Sequence, residues 1–259
     1  MNQRVRVAVT GACGKMGAET ARAVLDQSDM QLVAAVDRER VGEDFGPVIG
    51  RPGLGLAIVP SLPDLLAATK VDVVIDFTRA EAARGHIDAA IAHGVRPVVG
   101  TTGLTLGELD KIDFRCRRLG LGAVICPNFS VGAMLLGRFA REAAAYFAGA
   151  EIIELHHQTK VDAPSGTALR LRAAIDGPPP GAAKAEPLST TPIHSVRLPG
   201  LVAHHEIIFG GPGETLTLRH DSLSRQGFMP GLMKAVRVVR GLTGLVTDLE
   251  TILRMEAPS

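Results

Sequence analysis

The sequence predicts an α/β protein, a Rossmann-type doubly wound parallel sheet, joined to a smaller α+β domain with a mixed sheet. Three observations carry this. Short β-branched runs alternate with helix-like stretches through the first half of the chain. A glycine turn, Gly11-Ala12-Cys13-Gly14-Lys15-Met16-Gly17, joins the first strand to the first helix. After Pro127 the alternation stops and runs of strands take over.

The buried-strand pattern falls on Val5 to Thr10, Gln31 to Asp37, Val71 to Thr78, Val95 to Thr101 and Gly122 to Cys126. Helices are expected between them at Met16 to Gln27, Leu62 to Ala68, Ala80 to Ala92 and Leu106 to Leu119. Beyond Pro127 come a helix from Val131 to Phe147, a strand from Ala150 to His156 and a helix from Thr167. The Pro/Gly/Ala-rich stretch Gly177 to Pro192 reads as a surface loop. Strands at Ile193 to Leu198, Leu201 to Phe209 and Thr215 to His220 suggest a mixed or antiparallel sheet. Pro230 then opens an amphipathic helix that runs toward the C-terminus.

Composition removes several functional classes. The 259 residues are 46% hydrophobic, enough to fill real cores. No apolar stretch approaches the roughly 20 residues of a membrane helix, and no secretory h-region precedes the first strand, so a cytoplasmic address and no membrane partner are expected. Three cysteines without a CxxC pair support neither a disulfide framework nor a cysteine zinc site. A net charge of +1 and 3% aromatics lack the cationic excess and stacking residues of a nucleic-acid binder.

The glycine turn suits a dinucleotide. Its spacing, GxxGxxG, lets backbone turn tightly against a pyrophosphate, whose charge sits at a helix N-terminus. Asp37 follows about 20 residues after the last glycine, where a carboxylate can accept from a ribose hydroxyl, which suggests NAD. Arg38 and Lys15 supply cations for a 2′-phosphate, so both NADH and NADPH are expected as cofactors. Phe77-Thr78 and Gly100-Thr101-Thr102-Gly103 end two further strands, where open α/β sheets bind ligands. The turn Cys126-Pro127-Asn128-Phe129-Ser130 is the natural crossing between domains.

The run EIIELHHQTKVDAPSGTALRL is the most informative in the chain. Side chains alternate along a strand, so His156 and His157 point to opposite faces and one of them is the better placed for a ligand. Lys160 lies in the following loop. Ser165, Gly166 and Thr167 begin a helix and offer hydroxyls and backbone N–H groups to a carboxylate or phosphate. Each has an ordinary structural alternative, Ser165 and Thr167 as N-caps above all; together they describe an anion site with a titratable acid. No metal is expected: His205-Glu206 is followed by Phe209 rather than the second histidine of HExxH. Tyr146 has Ala150 rather than lysine four residues on, and Ser165 in Ala-Pro-Ser-Gly-Thr is no nucleophile elbow.

Six ordered motifs, GACGKMG, VIDFT, VVGTTG, CPNFSVG, ELHHQTKVDAPSGTA and SVRLPGLVAHHEIIFG with HDSLSR, make the chain resemble the 4-hydroxy-tetrahydrodipicolinate (dihydrodipicolinate) reductases of bacterial lysine and diaminopimelate synthesis. The resemblance implies a dinucleotide domain over 1–128, completed by a C-terminal helix at 235–259. It implies a substrate-binding and tetramerisation domain over 129–234, hence a homotetramer. By motif position His156 is the expected proton donor and Lys160 its partner, with His157, Ser165, Gly166 and Thr167 on the substrate carboxylates. Gly11, Lys15, Met16, Asp37, Gly100, Thr102 and Asn128 carry over to the cofactor; Gly14, Arg38, Phe77, Thr78, Thr101, Gly103, Cys126 and Phe129 are expected beside them. The implied reaction is hydride addition to a small cyclic dicarboxylate imine. Lys15 stands where the family usually has arginine, and Cys126 where it usually has alanine. The alternatives are another two-domain amino-acid or imine dehydrogenase, and a non-catalytic dinucleotide sensor.

Overall fold

A computed structural model describes residues 4–177 and 190–257. In chain order the first elements are β1 (Val5–Thr10), α1 (Lys15–Leu25), β2 (Met30–Val36), α2 (Phe45–Val48), β3 (Ile58–Val59) and α3 (Leu62–Ala68). Next come β4 (Val73–Asp76), α4 (Ala80–Ala92), β5 (Arg96–Val99), α5 (Leu106–Leu119), β6 (Gly122–Ile125) and α6 (Val131–Ala143). Then follow β7 (Gly149–His156), α7 (Gly166–Asp176), β8 (Ile193–Arg197), β9 (Ala203–Gly211) and β10 (Glu214–Ser222). The chain finishes with α8 (Met229–Val238), β11 (Gly244–Val246) and α9 (Leu249–Arg254). They form two compact units: residues up to Phe129 with those from Phe228 onward, and Ser130–Gly227.

In the first unit seven strands make one sheet in the order β11-β6-β5-β4-β1-β2-β3. Every pair in it is parallel. The six strands β3 to β6 follow the doubly wound order, with the reversal between β1 and β4. Parallel sheets are covered on both faces, which is why these strands read as continuous apolar runs: all four residues of β4 and of β6 are buried. Val74, Leu62, Leu66 and Ala90 share one apolar cluster; Ile87, Val99, Ile112 and Ile125 share another.

The end of the chain differs from expectation. The single amphipathic helix is instead α8, a 3-10 turn at Val239–Gly241, the strand β11 and a short α9. The chain leaves helical space at Leu242, whose φ of -84° and ψ of 152° are extended, and Gly244 follows at φ 95°. There Asp113 Oδ1 accepts the N–H of Leu245 at 2.8 Å, and β11 aligns beside β6 with Gly244 opposite Gly122. All of α8 belongs to the first unit, so the chain returns to it at Phe228 and not at 235; a Cβ on Gly231 would lie 2.2 Å from the carbonyl oxygen of Phe129. The helix α6 stops at Ala143, short of Phe147. The short elements α2 and β3 carry too few residues to show a period, and α2 is held by Asp44, which accepts from the N–H groups of Gly46, Leu54 and Gly55.

The second unit has a four-stranded sheet in the order β10-β9-β7-β8. It is mixed: β7 pairs parallel with β8 and antiparallel with β9, and β9 pairs antiparallel with β10. Leu136 and Ala140 of α6 and Leu171 and Ile175 of α7 pack on Ile152, Ile207 and Phe209 of the sheet. Along β7 the residues Ile152, Glu154 and His156 are buried and share one face by strand alternation. The Gly177 to Pro192 loop falls largely outside the described residues.

Candidate active site

In the first unit the expected crevice lies at the C-terminal ends of β1, β4 and β5. Gly11 has φ 64°, and a Cβ there would stand 3.1 Å from Thr78 Cγ2. A Cβ on Gly17 would come within 2.1 Å of the Gly11 carbonyl oxygen, so this glycine allows α1 to pack on the turn. Helix α1 has no side-chain cap and no acidic residue in its first turn. Its first N–H groups, at Lys15, Met16 and Gly17, are therefore suited to an outside anion. Ligand-sized space beside it is lined by Gly11, Asp37, Arg38, Thr78, Arg79 and His86. Asp37 accepts from the N–H groups of Cys13 at 2.8 Å and Glu39 at 3.0 Å, tying the glycine turn to the end of β2. Lys15 and Arg38 are both exposed. These residues fit a bound dinucleotide.

One buried carboxylate organises that crevice. Asp76, 1% exposed, accepts from Thr10 Oγ1 at 2.7 Å, from the N–H and Oγ1 of Thr78 at 2.8 and 2.7 Å, and pairs with His86 Nδ1 at 2.6 Å. Thr101 Oγ1 adds a longer bond at 3.4 Å and donates to the Thr78 carbonyl at 2.6 Å. Burial pushes the Asp76 carboxyl upward, but the donors from His86, Thr10 and Thr78 outweigh it and hold the group below the usual carboxylate range.

The other expected cofactor residues divide by exposure. Gly100 is a glycine because Phe77 lies against it: a Cβ would be 2.1 Å from the ring. Phe77 in turn meets Phe129 edge to face, with ring centroids 6.2 Å apart. Phe129 and Cys126 are buried, so only their backbone can face a ligand, while Thr102 and Gly103 are exposed. Asn128 is half-buried.

In the second unit the structure brings His156, Ser165, Arg197, His205 and Glu154 together. Glu154 is wholly buried. One carboxylate oxygen accepts from Arg197 Nη2 at 2.6 Å and from the N–H of Ser165 at 3.3 Å; the other pairs with His156 Nδ1. Burial pushes Glu154 upward, yet the hydrogen bonds from Arg197 and Ser195 and the charge on His156 hold it below its ordinary range. Burial lowers the His156 imidazole, with Lys160 and Arg197 acting in the same direction and Glu154 against it. His205 meets the His156 ring edge-on at 5.3 Å and is pushed down to about 4, by burial first and then by the neighbouring histidine. It is neutral near pH 7.

The remaining expected residues sit around this core. His157 is exposed, with Nδ1 2.8 Å from Thr159 Oγ1. Lys160 donates to both carboxylate oxygens of Asp162, at 2.7 and 2.9 Å. Ser165 is buried: its hydroxyl caps Ala168 at 3.1 Å and meets His205 Nε2 at 3.3 Å. The helix-start N–H groups of Gly166 and Thr167 are suited to an outside anion. Glu154, His156 and His205 place three donor atoms within 4.8 Å of one another, a set that a metal could use. The cations Arg197 and Lys160 face the same groups, so the cluster suits a proton better than a divalent ion.

Glu154, Asp76, Arg197 and His205 were not singled out in the sequence. For Glu154 the signal was present: it stands two residues before His156 on a strand. Arg197 and His205 lie on strands far along the chain, within the SVRLPGLVAHHEIIFG motif, whose spacing does not show that they meet Glu154.

A doubly wound sheet with an uncapped glycine turn after its first strand, joined to a mixed-sheet unit with a buried acid, defines a nicotinamide-dependent oxidoreductase of two units. The profiles described as "Dihydrodipicolinate reductase, N-terminus" and "Dihydrodipicolinate reductase, C-terminus" match residues 5–129 and 132–253. The chain belongs to this family. It is 47% identical to the 4-hydroxy-tetrahydrodipicolinate reductase of Moorella thermoacetica, over 96% of this chain and 98% of that one. Among solved structures it is similar to a dipicolinate-bound dihydrodipicolinate reductase from Paenisporosarcina sp. TG-14, at 38% identity and a TM-score of 0.82, over 96% of this chain and 100% of that one. An amine dehydrogenase from Mycobacterium smegmatis, at 14% identity and a TM-score of 0.68 over 94% of each chain, shares the fold alone.

Asp76 carries a pH prediction. A carboxyl held below its ordinary pKa contributes stability above that ordinary value and loses it as pH falls through the folded value. Asp76→Asn should therefore be less stable than wild type at pH 7, and the gap should narrow below about pH 4. Urea midpoints measured against pH check this, and a gap that stays constant down to acid pH contradicts it.

Proposed function

We propose that the chain reduces 4-hydroxy-tetrahydrodipicolinate to tetrahydrodipicolinate in diaminopimelate and lysine biosynthesis, with His156 as proton donor. The observation that carries this reading is a buried imidazole, held by a carboxylate, in the same unit as a helix start with unused N–H donors. A bound nicotinamide supplies the hydride. The substrate ring loses water and takes up that hydride and one proton.

The chain's own residues do the rest. Gly166 and Thr167 meet a substrate carboxylate with helix-start N–H groups. Lys160 and exposed His157 are the further partners for the dianion, Lys160 by turning from Asp162 toward the charge. His156 sits below its ordinary pKa before substrate arrives, so it is largely neutral near pH 7. Two substrate carboxylates nearby raise its proton affinity, and the acid is charged when it is needed. Lys160 also offsets the negative charge that develops as hydride adds.

We place the pyrophosphate at the start of α1 over Gly11, Gly14, Lys15 and Met16. The adenine ribose belongs beside Asp37 and Arg38, and the nicotinamide end near Phe77, Thr78 and the 100–103 turn, with the backbone of Cys126, Asn128 and Phe129. Arg38 and Arg79 line one space with Asp37. A carboxylate for the ribose hydroxyl and two cations for a 2′-phosphate favour use of both NADH and NADPH. We assign the protein to the cytoplasm; no helix among the described residues is long and apolar enough to cross a membrane. A homotetramer assembled through the second unit is the proposed oligomer, since the edge strand β10 is exposed along most of its length.

Three measurements test this reading. His156→Gln should lower kcat on the order of a hundredfold with cofactor binding intact, the scale of general-acid loss. The assay is NAD(P)H oxidation with enzymatically generated substrate; an unchanged kcat would remove His156 from the acid role, and no turnover by the wild type would sink the assignment. Steady-state kinetics with each cofactor should give comparable kcat/KM values, against which exclusive use of one would count. Light scattering should return the mass of four chains, and a monomer would refute the assembly.

A further inference from the structure

Strand alternation places Glu154 and His156 on one face of β7, and the parallel register of β8 sets Arg197 beside His156. The Glu154 carboxylate then divides its two oxygens. One accepts hydrogen bonds from Arg197 and the Ser165 N–H, and the other forms an ion-pair contact with His156 Nδ1. Arg197 is itself fixed, donating to the carbonyl of Asp162 at 2.7 Å and of Val196 at 2.8 Å. The carboxylate cannot rotate away without leaving the half-buried Arg197 cation without its anion.

We infer that Glu154 is a positioning residue for the reaction: its carboxylate keeps the proton on Nδ1 of His156, orients the ring, and leaves Nε2 as the atom that gives the proton to substrate. This rests on the reading of His156 as the acid. An imidazole that has just given up a proton is neutral and carries its remaining hydrogen on one nitrogen only. A carboxylate accepts and cannot donate, so the hydrogen stays at Nδ1 and the ring returns to the same tautomer after each turnover. The groups facing His156 are Glu154 on its own strand, Lys160 from the loop, Arg197 from β8 and His205 from β9. Among these Glu154 alone is an anion. It is therefore the group that favours the imidazolium against burial and two cations.

Glu154→Gln isolates the effect. An amide has one accepting oxygen, and Arg197 requires it, so the variant turns its NH2 toward His156. The imidazole must then accept at Nδ1 and carry its hydrogen on Nε2. Nitrogen NMR of 15N-histidine-labelled protein should show the Nδ1–H tautomer for neutral His156 in the wild type and Nε2–H in the variant. The kcat of the variant should fall about 10- to 100-fold, the scale on which partners of a functional imidazole count. The alkaline limb of its kcat profile should move to lower pH, because the anion that favoured the imidazolium is gone. A fall in kcat with the limb unmoved would mark Glu154 as structural only and overturn the inference. So would an unchanged kcat. If the variant does not fold, the wild-type spectrum decides alone: Nε2–H on neutral His156 overturns the inference, and Nδ1–H upholds it. The spectrum is independent of turnover, so this failure is distinguishable from failure of the acid role, which His156→Gln tests.

Discussion

A carboxylate removed from water must find donors, and the second unit is arranged around that requirement at Glu154. An unpaired charge at such a site would cost several kcal/mol. Its partners arrive from three parts of the chain: the same strand, the next strand in the sheet, and the start of α7. Each attachment fixes something functional. His156 receives its orientation, Arg197 joins the Asp162 loop to the sheet, and Ser165 brings the helix start to the strand end.

The first unit solves its own problem in the same manner. Asp76 ends the central strand β4, and its donors come from β1, from the turn after itself, from α4 and from the turn after β5. Two of these four are turns at strand ends where a doubly wound sheet binds its ligands. The glycines supply approach and the carboxylate supplies position. In both units one buried acid converts separate loops into a single rigid surface, and the polarity it demands excludes a purely apolar core there.

Much of this was legible in the chain. Helices α3, α4 and α5 begin and end where their patterns say, because each has a clear apolar period and α3 and α5 have side-chain caps. The two candidate sites were legible as motifs, since a glycine turn and a helix start are local in sequence. What was not legible was non-local or too short. Arg197 reaches Glu154 across 43 residues, and β11 pairs with β6 from a part of the chain that lies beyond the whole second unit. Lys160 illustrates a different limit: spacing brings it to the right loop, but its Asp162 partner decides where the ammonium rests.

The strand β11 gives the sheet of the first unit an edge made from the far end of the chain. During synthesis the ribosome therefore completes every residue of the second unit before it makes the strand that finishes the first. The inserted unit can settle as a contiguous domain, while the dinucleotide unit holds the flank of β6 open for a late arrival. A ribosome that stalls in the last stretch would release a chain whose second unit is whole and whose first sheet still carries a bare, pairing-competent edge.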